Sequence, residues 1–274
     1  MRPAAALAAL AILIAGCGGG HGSGNTIEAP PGDTAPTRAL ARTDVAAMAA
    51  RANVPVLCWH QIRPITGSDG AQARPYIVGP RYLAAQLDAL QRAGYHAVSA
   101  DAVVAHVARG ARLPTKPVLL TFDDASEGQA SRVLPLLRAH RFTATFFVMT
   151  VVLGKQGWMA RSDVRALDRA GMTIGAHTWD HHPVPQYTGA DWTKQIDEPT
   201  RELEQIVGHR IGVFAYPFGL WSASAFSHLR DAKLGAAFQL ADKLDREHPL
   251  YTLRRIIVPQ ESGAALLRQV REDF

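Results

Sequence analysis

The stretch that most narrows the fold is Pro117-Val118-Leu119-Leu120-Thr121-Phe122-Asp123-Asp124. An unbroken run of Val and Leu reads as a strand buried on both faces, and such strands belong to parallel sheets and barrels. In those architectures the C-terminal ends of the strands face the ligand. Here that end carries two adjacent carboxylates, which are costly to bury unless a cation neutralises them. A metal ion would do so, with one acid binding it and the other free to act as a general base. Acid pairs also close strands as plain polar turns, with Asp124 then capping the next helix. The pair alone therefore does not decide the matter.

A second stretch adds weight to the metal. Met172 to Ala176 reads as another short strand and runs into His177-Thr178-Trp179-Asp180-His181-His182. Two imidazoles four or five residues apart after a strand can converge on one ion. One Asp with two His leaves coordination positions open, which is the catalytic rather than the structural arrangement. A spacing of four suits one helical face and favours His181. In a non-helical loop, His182 at a spacing of five serves as well, so both stay candidates beside Asp124 and His177.

Around these two stretches the chain alternates strand-like and helix-like segments. Val56–Trp59, His96–Val98, Phe142–Met149, Val213–Tyr216, Gly235–Leu240 and Ile256–Val258 read as further strands. Helical patterns fall at Pro80–Arg92, after Ser99 as a cap, over Ser131–His140, after Ser162 as a cap, over Asp191–Val207, over Ser222–Arg230 and over Ser262–Val270. Such alternation implies parallel pairing with right-handed crossovers. About eight strands suffice to close a barrel.

Thr121-Phe122-Asp123-Asp124 and His177-Thr178-x-x-His181 resemble the first two motifs of the NodB-type polysaccharide deacetylases, carbohydrate esterase family four. Phe214-Ala215-Tyr216-Pro217-Phe218-Gly219 is similar to the third. Three motifs in order, within residues 54 to 258, are specific in a way that none is alone. The resemblance implies an α/β fold, a distorted (β/α)7 barrel with the NodB homology domain. It also implies a divalent metal, zinc first, with nickel, cobalt or manganese as alternatives. Asp124, His177 and His181 or His182 would hold the metal, and Asp123 would be the catalytic base. A backbone N–H near Phe218 would face the oxyanion, and Tyr216, Pro217 and Phe218 would form the wall on which a sugar lies. As core residues, Tyr216 and Phe218 would need no substrate, although a buried Tyr hydroxyl needs a partner.

Two departures stand out. Ala215 occupies the place where the third motif usually has an Arg that orients the base. No His follows His248, whereas the last family motif usually offers one as general acid, and Arg254-Arg255-Ile256-Ile257 stands in that region. The same losses resemble the biofilm poly-N-acetylglucosamine deacetylase branch, which tends to carry a strand-end His like His60 in Trp59-His60-Gln61. His60 is therefore the candidate acid. Its alternative role is a hydrogen-bonded His at a barrel end.

The N-terminus reads as an export signal. Met1-Arg2 precedes an apolar run, Ala4 to Ala15, and then Gly16-Cys17. The run is too short for a membrane-spanning helix. Ile14-Ala15-Gly16-Cys17 looks like a bacterial lipoprotein signal, which makes Cys17 the lipidated residue and the chain membrane-anchored, facing the periplasm or cell exterior. An ordinary signal that happens to contain Cys is the alternative. The expected division is a signal over 1–17, a Gly- and Pro-rich tether over 18–52 and a deacetylase domain over 53–274. Arg38 to Arg51 is Ala-rich enough for a helix leading into that domain. Cys58 is the only other Cys, cannot form an internal disulfide, and reads as a buried thiol. The net charge of +5 is scattered, with no basic block, so nucleic acid is not an expected partner.

The function expected is metal-dependent de-N-acetylation, by a monomer, of an N-acetylated surface or extracellular polysaccharide that contains N-acetylglucosamine. A non-catalytic sugar-binding lipoprotein on the same fold, and an O-deacetylase of the xylan esterase type, are the alternatives. The missing Arg and His favour the binding protein. The Asp123, Asp124 and His set favours an enzyme, because a binding protein has no need of a base beside a metal.

Overall fold

The computed structural model describes residues 42–240 and 243–274; the expected signal over 1–17, Cys17 and the tether up to residue 41 lie outside the described residues. Among the described residues ten strands run in chain order: β1 (Val56–Trp59), β2 (Gln61–Ile62), β3 (Ile77–Val78), β4 (His96–Ala97), β5 (Pro117–Asp123), β6 (Thr145–Val148), β7 (Thr173–Ala176), β8 (Val213–Ala215), β9 (Ala236–Phe238) and β10 (Ile256–Ile257). Eight α-helices accompany them: α1 (Arg42–Arg51), α2 (Pro80–Arg92), α3 (Ala100–Arg109), α4 (Leu134–His140), α5 (Arg161–Arg169), α6 (Glu198–Val207), α7 (Ala225–Asp231) and α8 (Gly263–Asp273). Among the described residues no helix is long and apolar enough to cross a membrane.

The main sheet is parallel throughout, in the order β10-β1-β5-β6-β7-β8-β9, with β4 added to the start of β5. Its two ends meet through one segment. Leu253 bridges Phe238, the Arg255 N–H donates to the Leu240 carbonyl at 3.2 Å, and β10 then pairs with β1. Seven strands thus curl into a barrel whose last seam is thin, the distorted (β/α)7 form that was expected. The separate parallel pair β2–β3 was not foreseen, because two residues per strand leave no periodicity to read.

Alternation along the strands sorts the core. Leu57, Trp59, Leu120, Phe122, Phe146, Val148, Ile174, Ala176 and Phe214 pack outward against the helices. Val56, Leu119, Phe147, Val213, Ala236 and Phe238 form a second cluster with Val103 and Val107 of α3 and Met48 of α1. The N-terminal ends of the strands are therefore closed by apolar side chains, and polar chemistry is left to the other end. Arg51 fastens α1 by donating from Nη2 to the Val107 carbonyl at 2.8 Å, near the end of α3 where carbonyls lack partners. The packed unit thus takes in α1, and residues 42–52, expected as the last part of the tether, belong to the domain.

Helix ends mostly follow local chemistry. Ser99 accepts from Ala102 N, as its placement as a cap implies, and Ser262, expected inside the last helix, is its cap and accepts from Ala265 N. Ser162 does not cap α5: the helix begins one residue earlier, and Asp163 accepts from Ala160 N at 2.8 Å instead. Two long helical patterns prove composite. A π-helical turn over Gln129–Val133 precedes α4, and another over Thr193–Asp197 precedes α6.

Candidate metal centre and hydrolytic site

The inward-facing residues at the C-terminal ends of the strands carry the polar chemistry. Asp123, the last residue of β5, is 1% exposed. The Arg255 guanidinium, also 1% exposed, meets it in a bidentate pair, Nη1–Oδ1 at 2.7 Å and Nη2–Oδ2 at 2.8 Å. Arg255 also donates to Thr121 Oγ1 at 3.2 Å and, through Nε, to the Gln239 carbonyl at 3.1 Å. Burial by itself would raise the Asp123 pKa. The charge and hydrogen bonds of Arg255, together with the neighbouring His177, outweigh it and hold the carboxyl below its ordinary range. Each carboxylate oxygen keeps acceptor capacity beyond its bond to Arg255.

Neighbouring side chains on a regular strand point to opposite faces, so a regular continuation of the strand would turn Asp124 away from Asp123. The backbone avoids this. Asp124 has φ +76° and Ala125 φ +68°, two successive left-handed residues that turn the chain off the strand. Asp124 then lines the same pocket as Asp123. Thr178, His181 and Phe218 also have positive φ, so five of the eight such non-glycine residues among the described residues lie in the loops of this one site. Each costs on the order of 1–3 kcal/mol, and strain gathered in this way marks functional loops.

His177 follows β7 and donates from Nδ1 to the Ala215 carbonyl at 2.7 Å, which leaves the Nε2 lone pair facing inward. The Thr178 hydroxyl accepts from His181 N at 2.9 Å and closes the turn that brings His181 back. Asp124 Oδ1 then lies 3.3 Å from His177 Nε2 and 3.4 Å from His181 Nε2. Asp124 Oδ1 and His177 Nε2 are both buried without a hydrogen-bond partner. Orphaned polar atoms this close together are expensive, and a cation between them removes the expense. One carboxylate and two imidazoles suit zinc and its neighbours, so Asp124, His177 and His181 form a set able to hold a metal ion. Burial, with the His177 charge second, lowers the His181 pKa to about 4, which keeps its ring neutral as a ligand must be. For Asp124, burial acts upward, but contact with His177 and the charges of His60, His177 and His181 together prevail, and its pKa falls well below the carboxylate range. Burial likewise opposes the charged form of His177, and the two aspartates still raise its pKa.

His182 is not in this cluster. Its ring stacks on Tyr187 at 5.8 Å, and its N–H donates to Asp180 Oδ1 at 3.2 Å. The left-handed turn at His181 separates the two rings, so the structure brings together the four-residue spacing.

The cluster opens into a cavity of about 280 Å³. Larger clefts of about 670 and 470 Å³ lie elsewhere and contain none of these ligands. Phe218 stands at the mouth, 57% exposed, with its ring edge-to-face with His181 at 4.4 Å. Tyr216 lies beneath, fully buried, its hydroxyl donating to the Tyr251 carbonyl at 3.0 Å. Pro217 is buried as well. Of the three expected wall residues, Phe218 lines the cavity at its exposed mouth and Tyr216 lines it from below, whereas Pro217 is not part of the lining. Opposite, His60 lies edge-to-face with Tyr76 at 4.9 Å. His60, Cys58 and Asp123 each place a ligand-type atom within 4.8 Å of the others. Burial lowers the His60 pKa and raises that of the Cys58 thiol.

Sequence reasoning missed Arg255 as the partner of Asp123, and Tyr76 as a wall of the pocket. The Arg254-Arg255 pair before an apolar strand was the only available signal for the first. Nothing local marked the second.

Comparison with known proteins agrees with this geometry. The polysaccharide deacetylase family model matches residues 110–237, and together with the relatives it supports that family. A chitin deacetylase from Pestalotiopsis sp. is 32% identical over 150 residues, covering 53% of this chain and 49% of that enzyme. The chain spans about half the length of several curated relatives it matches. Among solved structures, the Streptococcus pyogenes deacetylase PplD in complex with acetate superposes with a TM-score of 0.72 at 21% identity, over 79% of this chain and 97% of that one. IcaB from Ammonifex degensii gives 0.68 at 24% identity, over 80% and 97%. These structures share the curled parallel sheet and its surrounding helices.

Proposed function

We propose that this protein is a metal-dependent hydrolase that removes N-acetyl groups from a bacterial surface or extracellular polysaccharide containing N-acetylglucosamine. The deacetylase relatives indicate a hydrolase acting on amide bonds. The observation that carries the reading is the convergence of Asp124, His177 and His181 beside an Asp123 held ionised by Arg255. A binding protein gains nothing from a buried, strained acid pair of this kind.

Asp124 Oδ1 and the Nε2 atoms of His177 and His181 would hold the metal, which when bound supplies Lewis-acid activation of a water and of the acetyl carbonyl. Asp123 takes the proton of the attacking water; Arg255 fixes the carboxylate plane and keeps it charged. The backbone N–H at Phe218 faces the oxyanion that develops on the carbonyl. His60, across the pocket, hands a proton to the departing amine. The exposed Phe218 ring offers a flat apolar face to a sugar ring, with Tyr76 on the other side of the cavity. The motif pattern, with His60 present and no late His, favours the poly-N-acetylglucosamine branch. Ile14-Ala15-Gly16-Cys17 favours a lipid-anchored, extracytoplasmic enzyme.

Acetate release from N-acetylglucosamine oligosaccharides, set against acetylated xylan, tests the reading. Release from the first that stops on chelation and returns with zinc, cobalt, nickel or manganese is expected. Release from xylan alone would make the protein an O-deacetylase, and none from either would leave a binding protein.

A further inference from the structure

Two buried glutamines lie behind this site, and neither is explained by packing. Gln129 is fully buried and Gln195 is 4% exposed. Each enters from one of the two π-helical turns, which widen a helix by one residue and recur at functional sites. Gln129 donates from Nε2 to two carbonyls, that of His60 at 2.9 Å and that of Asp123 at 2.5 Å. His60 directly follows β1 and Asp123 ends β5, and the two are the acid and base of the proposed reaction. The Oε1 of Gln129 is buried with no partner. Met or Leu would fill the volume without an orphaned oxygen, but would take this donor from the His60 and Asp123 carbonyls. The turn also demands Gly128, where a Cβ would lie 2.3 Å from the Ile62 carbonyl oxygen.

Gln195 serves the other half. Its Oε1 accepts from Trp179 N at 3.2 Å and from Asp180 N at 3.4 Å, and its Nε2 donates to Asp180 Oδ1 at 2.8 Å. Asp180 Oδ1 in turn accepts from His182 N. Gln195 thus grips the middle of the loop between His177 and His181, where the backbone turns left-handed twice.

We propose that Gln129 and Gln195 are positioning residues with separate tasks: Gln129 fixes the spacing of His60 and Asp123, and Gln195 fixes the loop that presents His177 and His181 to the metal. The inference rests on the hydrolytic reading for the roles of His60 and Asp123. Both tasks act through backbone held by a side-chain amide, so a methionine of similar length removes the grip and preserves the volume.

The test compares Gln129→Met and Gln195→Met with the wild type, using zinc titration of metal-stripped protein, steady-state acetate release, and histidine-ring NMR of the stripped protein. Gln129→Met should bind zinc within twofold of wild type, lose at least tenfold in kcat with KM nearly unchanged, and shift the His60 resonances. Gln195→Met should bind zinc at least tenfold more weakly, recover kcat within threefold at saturating zinc, and shift the His181 resonances. If the phenotypes exchange, or if a folded variant matches wild type in all three readouts, the proposal is overturned. Should a methionine variant fail to fold, Asn at the same position, which keeps the amide but is one methylene too short, takes its place with the same expectations. Wild type that releases no acetate defeats the hydrolytic reading alone, because zinc affinity and the histidine resonances still separate the two glutamines.

Discussion

Replacing Arg255 by Met tests how the base is held. Arg255 makes four side-chain hydrogen bonds in a fully buried setting, two of them to Asp123. Its guanidinium also lies 5.2 Å from the centre of the Phe147 ring. Methionine fills most of the space but leaves the Asp123 carboxylate charged and alone. Removing one partner of a buried pair costs about 3–5 kcal/mol, because the other charge stays desolvated. For a domain of this size, each kcal/mol moves the melting temperature by roughly 2–4 °C. Arg255→Met should therefore melt about 6–20 °C below wild type. Adding Asp123→Asn removes the orphaned charge, so the double variant should regain about 2 kcal/mol. Calorimetry or urea unfolding of the four proteins, analysed as a double-mutant cycle, measures the coupling. A single variant melting within 2 °C of wild type would refute the reasoning, as would a double variant whose two losses simply add.

The two acids should fail differently. Asp123→Asn should retain metal and lose acetate release by about 10²-fold or more, whereas Asp124→Asn should lose metal first and regain part of its activity at high metal concentration; bound metal and turnover measured together decide, and the reverse pattern exchanges the roles. His209 donates to Asp168 at 2.7 Å, and that bond raises its pKa. The pair therefore stabilises the fold below the ordinary imidazole range and loses its effect as pH rises through the raised value. It is exposed and screened, worth at most about 1 kcal/mol, so His209→Gln should melt slightly below wild type near pH 5.5 and equal it near pH 9; a difference that persists at pH 9 argues against the pair. Cys17→Ser should yield an unlipidated precursor, read by mature mass and membrane fractionation, and a variant with wild-type mass and fractionation rules out the lipid anchor.

The alternation of strands and helices, the strand that ends in Asp123-Asp124 and the strand that ends in a His-rich loop were legible because they are local patterns. An apolar run dictates a buried strand, and charge at its end dictates where the chemistry sits. Tertiary structure alone decided four matters. The partner of Asp123 is Arg255, 132 positions away, because the thin seam between β9 and β10 lets that residue turn inward. Asp124 joins Asp123 in one pocket because its backbone is left-handed, a state that no propensity assigns to Asp after a strand. His181 rather than His182 faces the metal site because the Thr178 hydroxyl ties the turn. Tyr216 forms the buried part of the wall, below Phe218, because the Tyr251 carbonyl satisfies its hydroxyl beneath the surface. The first and last depend on groups distant in sequence, and the middle two on left-handed turns whose strain only the packed structure sustains, so residue spacing carries no record of them.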